Sequence, residues 1–293
     1  MPVRLSVPWY LAKAALNWTG GLEGKEASSY RRTLTGTTFA KLPIAEINTA
    51  DVEAALDRFP PGRAEKIRMR IHKVLNFATF KQYRSGDNPA RLKGHLEFAE
   101  REKPAKVVHH PAMAWADVPK FMSELMADGS TEARALAFLI LTAARTNEII
   151  GAKWKEIEGK LWVIPAERMK GKPEDRTEHD VPLSPAALKL LGKHGGPEDY
   201  IFPSRRYGAR KPLWHASMLE RLKTLRGATY TVHGFRSTFS DWAAEAKYSL
   251  ELRERALHHA IGDAVVTAYQ RSKLTEQRRP MMAAWAKFAI GTR

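Results

Sequence analysis

The sequence predicts a mostly α-helical protein with one small antiparallel β-sheet, divided into two domains. Three observations support this fold class. Apolar residues recur at helical spacing through most of the 293 residues. Alternating, β-like runs are confined to the stretch from 160 to 184. A charged segment with two prolines follows neither period, and we expect residues 1–104 and 112–293 to form domains joined by a linker at 105–111.

The first domain is predicted to be a small helical bundle. The segments VPWYLAKAALNW, KEASSYRRTLTGTTFAKL and TADVEAALDRF have helical patterns, and Thr49 is the expected N-cap of the last. In GRAEKIRMRIHKVLNFATFKQYRSG, one face is apolar and another face is basic. The basic face is predicted to bind DNA phosphates, and its residues are Arg63, Lys66, Arg70 and Lys73.

The second domain is predicted to surround a buried helix. TEARALAFLILTAA is apolar nearly all round, which is typical of a helix in the middle of a core. KLWVIPAERMKGKPEDRTEHDVPLS contains two short β-like runs around a charged turn, as in a hairpin. Helical patterns return in SPAALKLLGKH, in HASMLERLKT, from Gly234 to Glu245 and in LTEQRRPMMAAWAKFAI.

Charge indicates the class of partner. Lys and Arg exceed Asp and Glu by 16, with +7 in residues 1–104 and +9 in the rest. A solubilising surface is the ordinary explanation, but an excess spread over both domains favours a long polyanion such as nucleic acid. The absence of cysteine excludes disulfides and thiolate chemistry. No apolar run reaches the ~20 residues of a membrane span, and no signal peptide is recognisable, so we expect a cytoplasmic protein without a membrane partner.

Transfer of a DNA phosphoryl group requires a nucleophile, an acid, a base and positive charge around the phosphate. The sequence has no HExxH motif, no clustered Asp-x-Asp and no glycine-rich phosphate loop. No metal or other cofactor is therefore expected. Two arginines converging on one phosphate could supply the charge instead, because the planar guanidinium matches two phosphate oxygens.

Four segments, in order, carry a family resemblance. They are LTAARTNEIIGAKWKEI, PAERMKGKPEDRTEHDVPLS, HGFRSTFSDWAAE and ALHHAIGDAVVTAYQRS. Together they resemble the conserved boxes of the tyrosine recombinase, or phage integrase, family, and are similar to integrases of prophages and genomic islands. The resemblance implies a helical core-binding domain followed by a tyrosine-recombinase-type catalytic domain. A single box would be weak evidence, whereas the ordered set is specific.

The resemblance also implies a role for each residue. Tyr269 would be the nucleophile that forms a 3′-phosphotyrosyl bond, so that neither ATP nor metal is needed. Arg145 and Arg236 would bind the nonbridging oxygens, and Glu148 would support Arg145. Each of these residues also has an ordinary structural explanation, such as a helix-terminal cation or a packed tyrosine.

The remaining roles concern protons and hydrogen bonds. Lys170 would protonate the leaving 5′-oxygen, with Lys172 as the competing candidate. His233 would act as general base or acid, and His259 would hydrogen-bond a phosphate oxygen. A further histidine, His258, stands where many family members have a small residue.

The family also implies partners. They are double-stranded DNA attachment sites, a homotetramer on synapsed DNA and, in some members, a directionality factor. The helix predicted in LTEQRRPMMAAWAKFAI could pack on a neighbouring subunit or on its own domain. The residues before the predicted helices leave no room for the arm-binding domain found in many such integrases, so we expect that domain either to be naturally absent or to have been removed. A type IB topoisomerase and a DNA-binding regulator that no longer cuts are the competing functions.

Overall fold

The computed structural model describes residues 24–98, 111–171, 174, 176–206, 208–259 and 273–292. The chain forms two compact units, 1–108 and 109–293, each with its own apolar core. The predicted linker at 105–111 falls almost entirely outside the described residues. Within the described ranges, no helix has both the length and the apolar composition needed to cross a bilayer.

The first unit is helical, as predicted. Its helices are α1 (Gly24–Thr35), α2 (Thr49–Leu56) and α3 (Pro61–Phe80). The cap of α2 differs from the prediction, because Asn48 and not Thr49 precedes the helix. The Asn48 side chain accepts from the Asp51 amide at 3.1 Å, and the Asp51 carboxylate accepts from the Asn48 amide at 3.0 Å. The helix predicted in VPWYLAKAALNW lies outside the described residues.

The second unit contains eight helices among its described residues and two small antiparallel sheets. The helices are α4 (Val118–Asp128), α5 (Thr131–Thr142), α6 (Thr146–Ile150), α7 (Pro185–Leu191), α8 (Ser217–Arg226), α9 (Gly234–Glu245), α10 (Leu250–Ala256) and α11 (Thr275–Ala289). The strands are β1 (Ile157–Glu158), β2 (Leu161–Ile164), β3 (His179–Pro182), β4 (Pro203–Ser204) and β5 (Gly208–Pro212).

Helix α5 is the centre of this unit, as its apolar sequence predicts. Every residue from 135 to 142 is buried. The Phe138 ring lies 5.5 Å from the Trp162 ring of β2 and 5.3 Å from the Phe202 ring, between centroids. The core therefore joins the central helix to the sheet, and replacing Phe138 by Ala would cost about 3–5 kcal/mol.

The predicted hairpin is present and belongs to a three-stranded sheet of order β1-β2-β3. Trp162 pairs with Val181, and Ile164 pairs with His179, so the apolar side chains of β2 face the core while its partner strand brings a histidine to the same end. The second sheet, β4-β5, was not predicted. Its strands are short, basic and rich in proline and glycine, so they lack the alternation of apolar and polar residues that predicts a strand.

Helix α11 packs on its own domain in this chain. The Trp285 indole donates to the Ile140 carbonyl at 2.8 Å, and Met281, Met282 and Trp285 are buried. Ile140 lies in the last turn of α5, and its carbonyl also accepts from the Ala143 amide at 3.4 Å. Of the two arrangements left open by the sequence, this one gives that carbonyl a second donor and buries three large side chains.

The start of α9 is packed too closely for any residue but glycine. A Cβ atom on Gly234 would lie 2.4 Å from the Pro111 carbonyl oxygen. The segment from Pro111 crosses this end of the helix and is held by Thr238, whose hydroxyl donates to the Met113 carbonyl at 2.6 Å. The glycine of HGFR therefore fixes the position of the helix that begins the motif.

Candidate active site

Arg145 is positioned by the short helix that follows it. It is the N-cap residue of α6, and its amide and its Nη1 both donate to the Glu148 carboxylate, at 2.7 and 2.8 Å. The Glu148 side chain is 3% exposed and that of Arg145 is 19% exposed. A buried carboxylate that accepts from both the backbone and the side chain of one residue leaves the guanidinium little freedom.

Arg236 lies deeper, and no carboxylate contacts it among the described residues. Its Nη1 donates to the Ala143 carbonyl at 2.6 Å, and its Nη2 donates to the Leu257 carbonyl at 2.6 Å. Burial, followed by repulsion from Arg145, lowers the pKa of Arg236 to about 10. The guanidinium is therefore charged at neutral pH although its surroundings are largely desolvated.

The two arginines meet at one backbone turn. Nη2 of Arg145 donates to the Leu257 carbonyl at 3.3 Å and to the His258 carbonyl at 3.0 Å, so both guanidiniums lie within 3.3 Å of a single oxygen. We call these two side chains the arginine pair.

In the described part of the chain, the arginine pair contacts one carboxylate, that of Glu148, and two helix C-termini also stabilise its positive charge. Ala143 ends α5, and His258 follows α10 by two residues. Both residues have left-handed backbones, with φ of 52° and 49°. This conformation costs a non-glycine residue about 1–2 kcal/mol, and it turns terminal carbonyls toward the cations. Since helix C-termini have partial negative charge, the two ends stabilise the buried positive charge.

His259 contacts both the arginine pair and an acid. Its Nδ1 lies 2.7 Å from the Glu254 carboxylate, and its Nε2 lies 2.9 Å from Nη2 of Arg236. Because a carboxylate accepts and a guanidinium donates, the proton is assigned to Nδ1 and the lone pair to Nε2. Burial lowers the pKa of His259, which is consistent with this neutral form. Both ring nitrogens are thus occupied, and donation to a phosphate oxygen would require an exchange of partners.

Two further histidines pack against each other near the arginine pair. The rings of His179, on β3, and His258 are 4.7 Å apart between centroids. Burial, with a contribution from His258, lowers the pKa of His179 well below its usual value. Burial, with a contribution from Arg145, lowers the pKa of His258 to about 4. Both rings are therefore neutral near pH 7 and can pack against each other beside two cations.

Lys170, unlike the arginine pair, lies on the surface of the protein. It is exposed, in the loop between β2 and β3, and forms no side-chain hydrogen bond or ion pair with the described residues. The neighbouring Met169 is 3% exposed and anchors the loop in the core. Arg176 spans the loop by donating to the Gly171 carbonyl at 2.9 Å. Lys172 lies outside the described residues.

His233 begins the helix that carries Arg236. It is the N-cap residue of α9, exposed, and its carbonyl accepts from the Arg236 amide at 3.1 Å. The two side chains are one helical turn apart, as HxxR spacing predicts.

Tyr269 lies outside the described residues, so its predicted role stays a prediction. The segment that contains it is flanked by described residues at the site. On one side is His259, in contact with Arg236. On the other side is Lys273, whose Nζ lies 2.5 Å from the Glu178 carboxylate and 2.8 Å from that of Asp180, on β3.

The basic face of α3, in the first unit, is only partly available for a ligand. Arg63, Lys66 and Lys73 are exposed. Arg70 is half-buried, because its Nη1 donates to the Thr33 hydroxyl at 2.7 Å and its guanidinium lies 4.9 Å from the Tyr30 ring centre. Arg70 thus holds α3 against α1, a contact that the helical pattern alone did not reveal.

Several groups of the site were not predicted. The carbonyls of Ala143, Leu257 and His258 hold the arginine pair, and Glu254 and His179 hold the two adjacent histidines. Backbone acceptors have no signature in a side-chain pattern, so no motif could identify the first three. His258 has one sequence signal, which is that it stands where many family members have a small residue. Among the described residues, no cluster of three or more His, Asp or Glu residues could hold a metal ion.

The chain belongs to the phage integrase family, because the model of that family matches residues 113–276. A second model, for the phage integrase central domain, matches residues 9–95. Prophage integrase IntA of Escherichia coli (strain K12) is 34% identical over 193 residues. That alignment covers 63% of this chain and 45% of the relative, so it spans less than half of the relative's length.

Solved structures show the same fold at low identity. A lambda integrase dimer bound to a COC′ core site has a TM-score of 0.62 and 18% identity, covering 89% of this chain and 93% of the other. The Tn1549 transposon integrase with circular intermediate DNA has a TM-score of 0.64 and 14% identity, covering 93% and 99%. A lambda integrase tetramer on a Holliday junction has a TM-score of 0.65 and 17% identity, covering 87% and 77%.

Proposed function

We propose that this protein is a site-specific DNA recombinase that cuts and rejoins strands through a 3′-phosphotyrosyl intermediate. The observation that supports it best is the arginine pair, in which two guanidiniums share one carbonyl oxygen. Within the described ranges, only Glu148 provides a carboxylate in contact with the pair. The pair therefore presents a net positive charge in a partly desolvated site. Such a site stabilises the extra negative charge of a pentacoordinate phosphate.

The proposed reaction begins with the Tyr269 hydroxyl attacking the scissile phosphorus. The phenol loses its proton to a base, for which His233 is the candidate, because it lies one turn from Arg236 on α9. The bond to the 5′-oxygen breaks, and Lys170 donates the proton that makes a 5′-hydroxyl. Attack by a 5′-hydroxyl in the reverse direction restores the phosphodiester and releases Tyr269, so no bond energy is lost.

The arginine pair would bind the nonbridging oxygens throughout. Each guanidinium has five N–H donors, and three of those of Arg236 are committed to Ala143, Leu257 and His259. Because these partners hold the planar group before DNA binds, little reorganisation is needed when charge develops. Glu148 would have the same function for Arg145.

The assembly and location follow from the family. We propose that the protein acts as a homotetramer on two synapsed attachment sites in the bacterial cytoplasm, at the nucleoid, and that a directionality factor can select integration or excision of a mobile element. A structurally similar lambda integrase has been solved as a tetramer on a Holliday junction. The exposed Arg63, Lys66 and Lys73 of α3 would bind phosphates on each site.

A suicide substrate tests the proposal. A nick next to the scissile phosphate allows the cleaved fragment to escape, so a covalent protein–DNA adduct should accumulate, also in EDTA. Tyr269→Phe should abolish the adduct while duplex affinity stays within about twofold. Peptide mapping of the adduct to another residue would refute the assignment of Tyr269. Binding without any adduct would support a regulator, and supercoil relaxation without synapsis would support a topoisomerase.

A further inference from the structure

Strands β4 and β5 form a two-stranded ribbon, residues 203–212, that the catalytic site does not use. The strands are antiparallel, pairing Pro203 with Pro212 and Ser204 with Gly208 around a short turn. Residues 208 to 211 are all exposed, so both faces of β5 meet solvent. A two-stranded ribbon with no apolar face has little stability of its own.

The root of the ribbon supplies that stability. Ile201, Phe202 and Leu213, on either side of it, are 2%, 0% and 3% exposed. The Tyr200 amide donates to the Ala209 carbonyl at 3.0 Å, and the Ile201 amide donates to the Ala152 carbonyl at 2.9 Å. The exposed part is therefore held on a rigid base.

The base of the ribbon is attached close to the active site along the chain. Ala152 follows α6 by two residues, and the N-cap of the five-residue α6 is Arg145. The hydrogen bond from Ile201 to Ala152 thus joins the ribbon to the element that positions one of the arginine pair.

The ribbon is strongly basic and has no acid near it in the sequence. Its cations are Arg205, Arg206, Arg210 and Lys211, all exposed, and no Asp or Glu occurs from 200 to 219. Arg205, Arg210 and Lys211 form no side-chain hydrogen bond or ion pair with the described residues. Some other cations of this unit do have acidic partners, as exposed Lys155 has Glu198 at 2.7 Å. Unpaired like charges on a narrow ribbon repel one another, which disfavours the ribbon unless an anion binds.

We propose that the β4–β5 ribbon is a second DNA-binding site, which contacts backbone phosphates of the duplex away from the scissile phosphate. A two-stranded ribbon fits the major groove of B-DNA, and arginine side chains match phosphate oxygens. The exposed Trp214, which follows the ribbon, offers an apolar surface for deoxyribose next to the cations. The inference rests on the proposed function to the extent that duplex DNA is the ligand.

The test is the salt dependence of binding to an attachment-site duplex. The triple variant Arg205→Gln, Arg210→Gln and Lys211→Gln removes three cations, and Arg206 stays because it has a further contact within the chain. Each lost phosphate contact lowers the slope of log K against log salt by ~0.9. We therefore expect the slope to fall by between about 2 and 3. In ethylation interference, a patch of phosphates sensitive in wild type should become insensitive.

A matched control removes the same charge elsewhere. Lys120→Gln, Lys193→Gln and Lys287→Gln change three exposed lysines on separate parts of the unit, and the slope should change by less than about 1. Equal slopes for the two triple variants, or a wild-type slope in the ribbon variant, would overturn the proposal. So would a wild-type slope for duplex DNA combined with weaker capture of an acidic protein.

The two proposals fail in different ways. At low salt the ribbon variant should still form the Tyr269 adduct on the suicide substrate, because the arginine pair is intact. A wild-type protein that forms no adduct but shows the ribbon-dependent salt slope would refute the recombinase and leave the ribbon as a DNA-binding site. Thermal unfolding at unchanged temperature confirms that the ribbon variant is folded.

Discussion

The arginine pair and the Lys170 loop are two parts of one candidate site with opposite physical designs. Arg145 and Arg236 are held by backbone carbonyls and by Glu148 in largely buried positions. Lys170 is exposed, and its side chain forms no hydrogen bond or ion pair with the described residues. In the proposed reaction, the groups that would stabilise charge are therefore held before DNA binds, whereas the group that would transfer a proton lies in an exposed loop.

The electrostatics of the two parts explain the difference. A guanidinium is protonated even when burial and a second cation lower its pKa to about 10, as for Arg236. An ammonium loses its proton more readily when it is desolvated. An arginine therefore suits the buried side of the proposed site better than a lysine.

The largest effect is expected for Arg236→Lys, which tests the fixed side of the comparison. An ammonium cannot reach the Ala143 and Leu257 carbonyls together while facing a phosphate. We expect adduct formation to fall on the order of 10³-fold, measured as the single-turnover rate on the suicide substrate. Arg226→Lys, which alters the pair of Arg226 at the end of α8 with Glu124 on α4, is the matched control and should retain the rate. A loss of less than threefold for Arg236→Lys would show that preorganisation is unimportant.

The next largest effect is expected at the exposed Lys170. Lys170→Ala should slow cleavage about 10²-fold or more, because an alkoxide leaves poorly without an acid. A substrate with sulfur at the bridging 5′ position should restore the rate, since a thiolate leaves without a proton. Lys172→Ala is the matched control. It should cleave the ordinary substrate at the wild-type rate, and sulfur at the bridging position should give it no added advantage over wild type. The opposite pattern would assign the acid to Lys172.

A smaller effect is expected for Glu148→Gln. The amide retains one acceptor, so Arg145 loses either its backbone or its side-chain contact with residue 148. We expect a loss of about 10-fold in cleavage rate with unchanged duplex affinity. Glu276→Gln alters another Glu–Arg pair at i,i+3 spacing, in which Glu276 is 77% exposed, and should have no effect. Equal effects in the two variants would mean that burial of the pair does not matter.

The smallest expected effect is the change of folding stability with pH. The pKa of His258 is about 4 in the folded chain and 6.5 in the unfolded chain, and those of His179 and His259 are also lowered. The unfolded state therefore binds more protons below pH 6.5, so stability is full above 6.5 and is lost as pH falls toward 4. The melting temperature should fall from pH 7.5 to pH 5.

His258→Asn separates the contribution of that ring. Asparagine tolerates the left-handed backbone but does not titrate. Between pH 7.5 and pH 5, the melting temperature of the variant should fall less than that of the wild type. An equal or larger loss would assign the pH dependence to the two other histidines with lowered pKa values, His179 and His259.

Much of the fold was predictable because its signals are local. The apolar periodicity of 131–144 and of 62–86 depends only on neighbours within one helix. It predicted the buried helix α5 of the second unit and the amphipathic helix α3 of the first. The β2–β3 hairpin was predicted from alternation around a charged turn. The β4–β5 ribbon was missed, because its pairing depends on a buried root and not on its own side chains.

By itself the sequence determined the order and chemical types of the site residues, since the boxes with Arg145, Lys170, His233 and Arg236 are readable as spacing and the phage integrase family follows from them. Only the tertiary structure decided how the arginines are held. The end of α5 turns the Ala143 carbonyl toward Arg236, and the end of α10, far along the chain, turns the Leu257 carbonyl toward both arginines. Those acceptors belong to the backbone, which every residue shares, so their position depends on how the helices pack and not on which side chains the sequence contains.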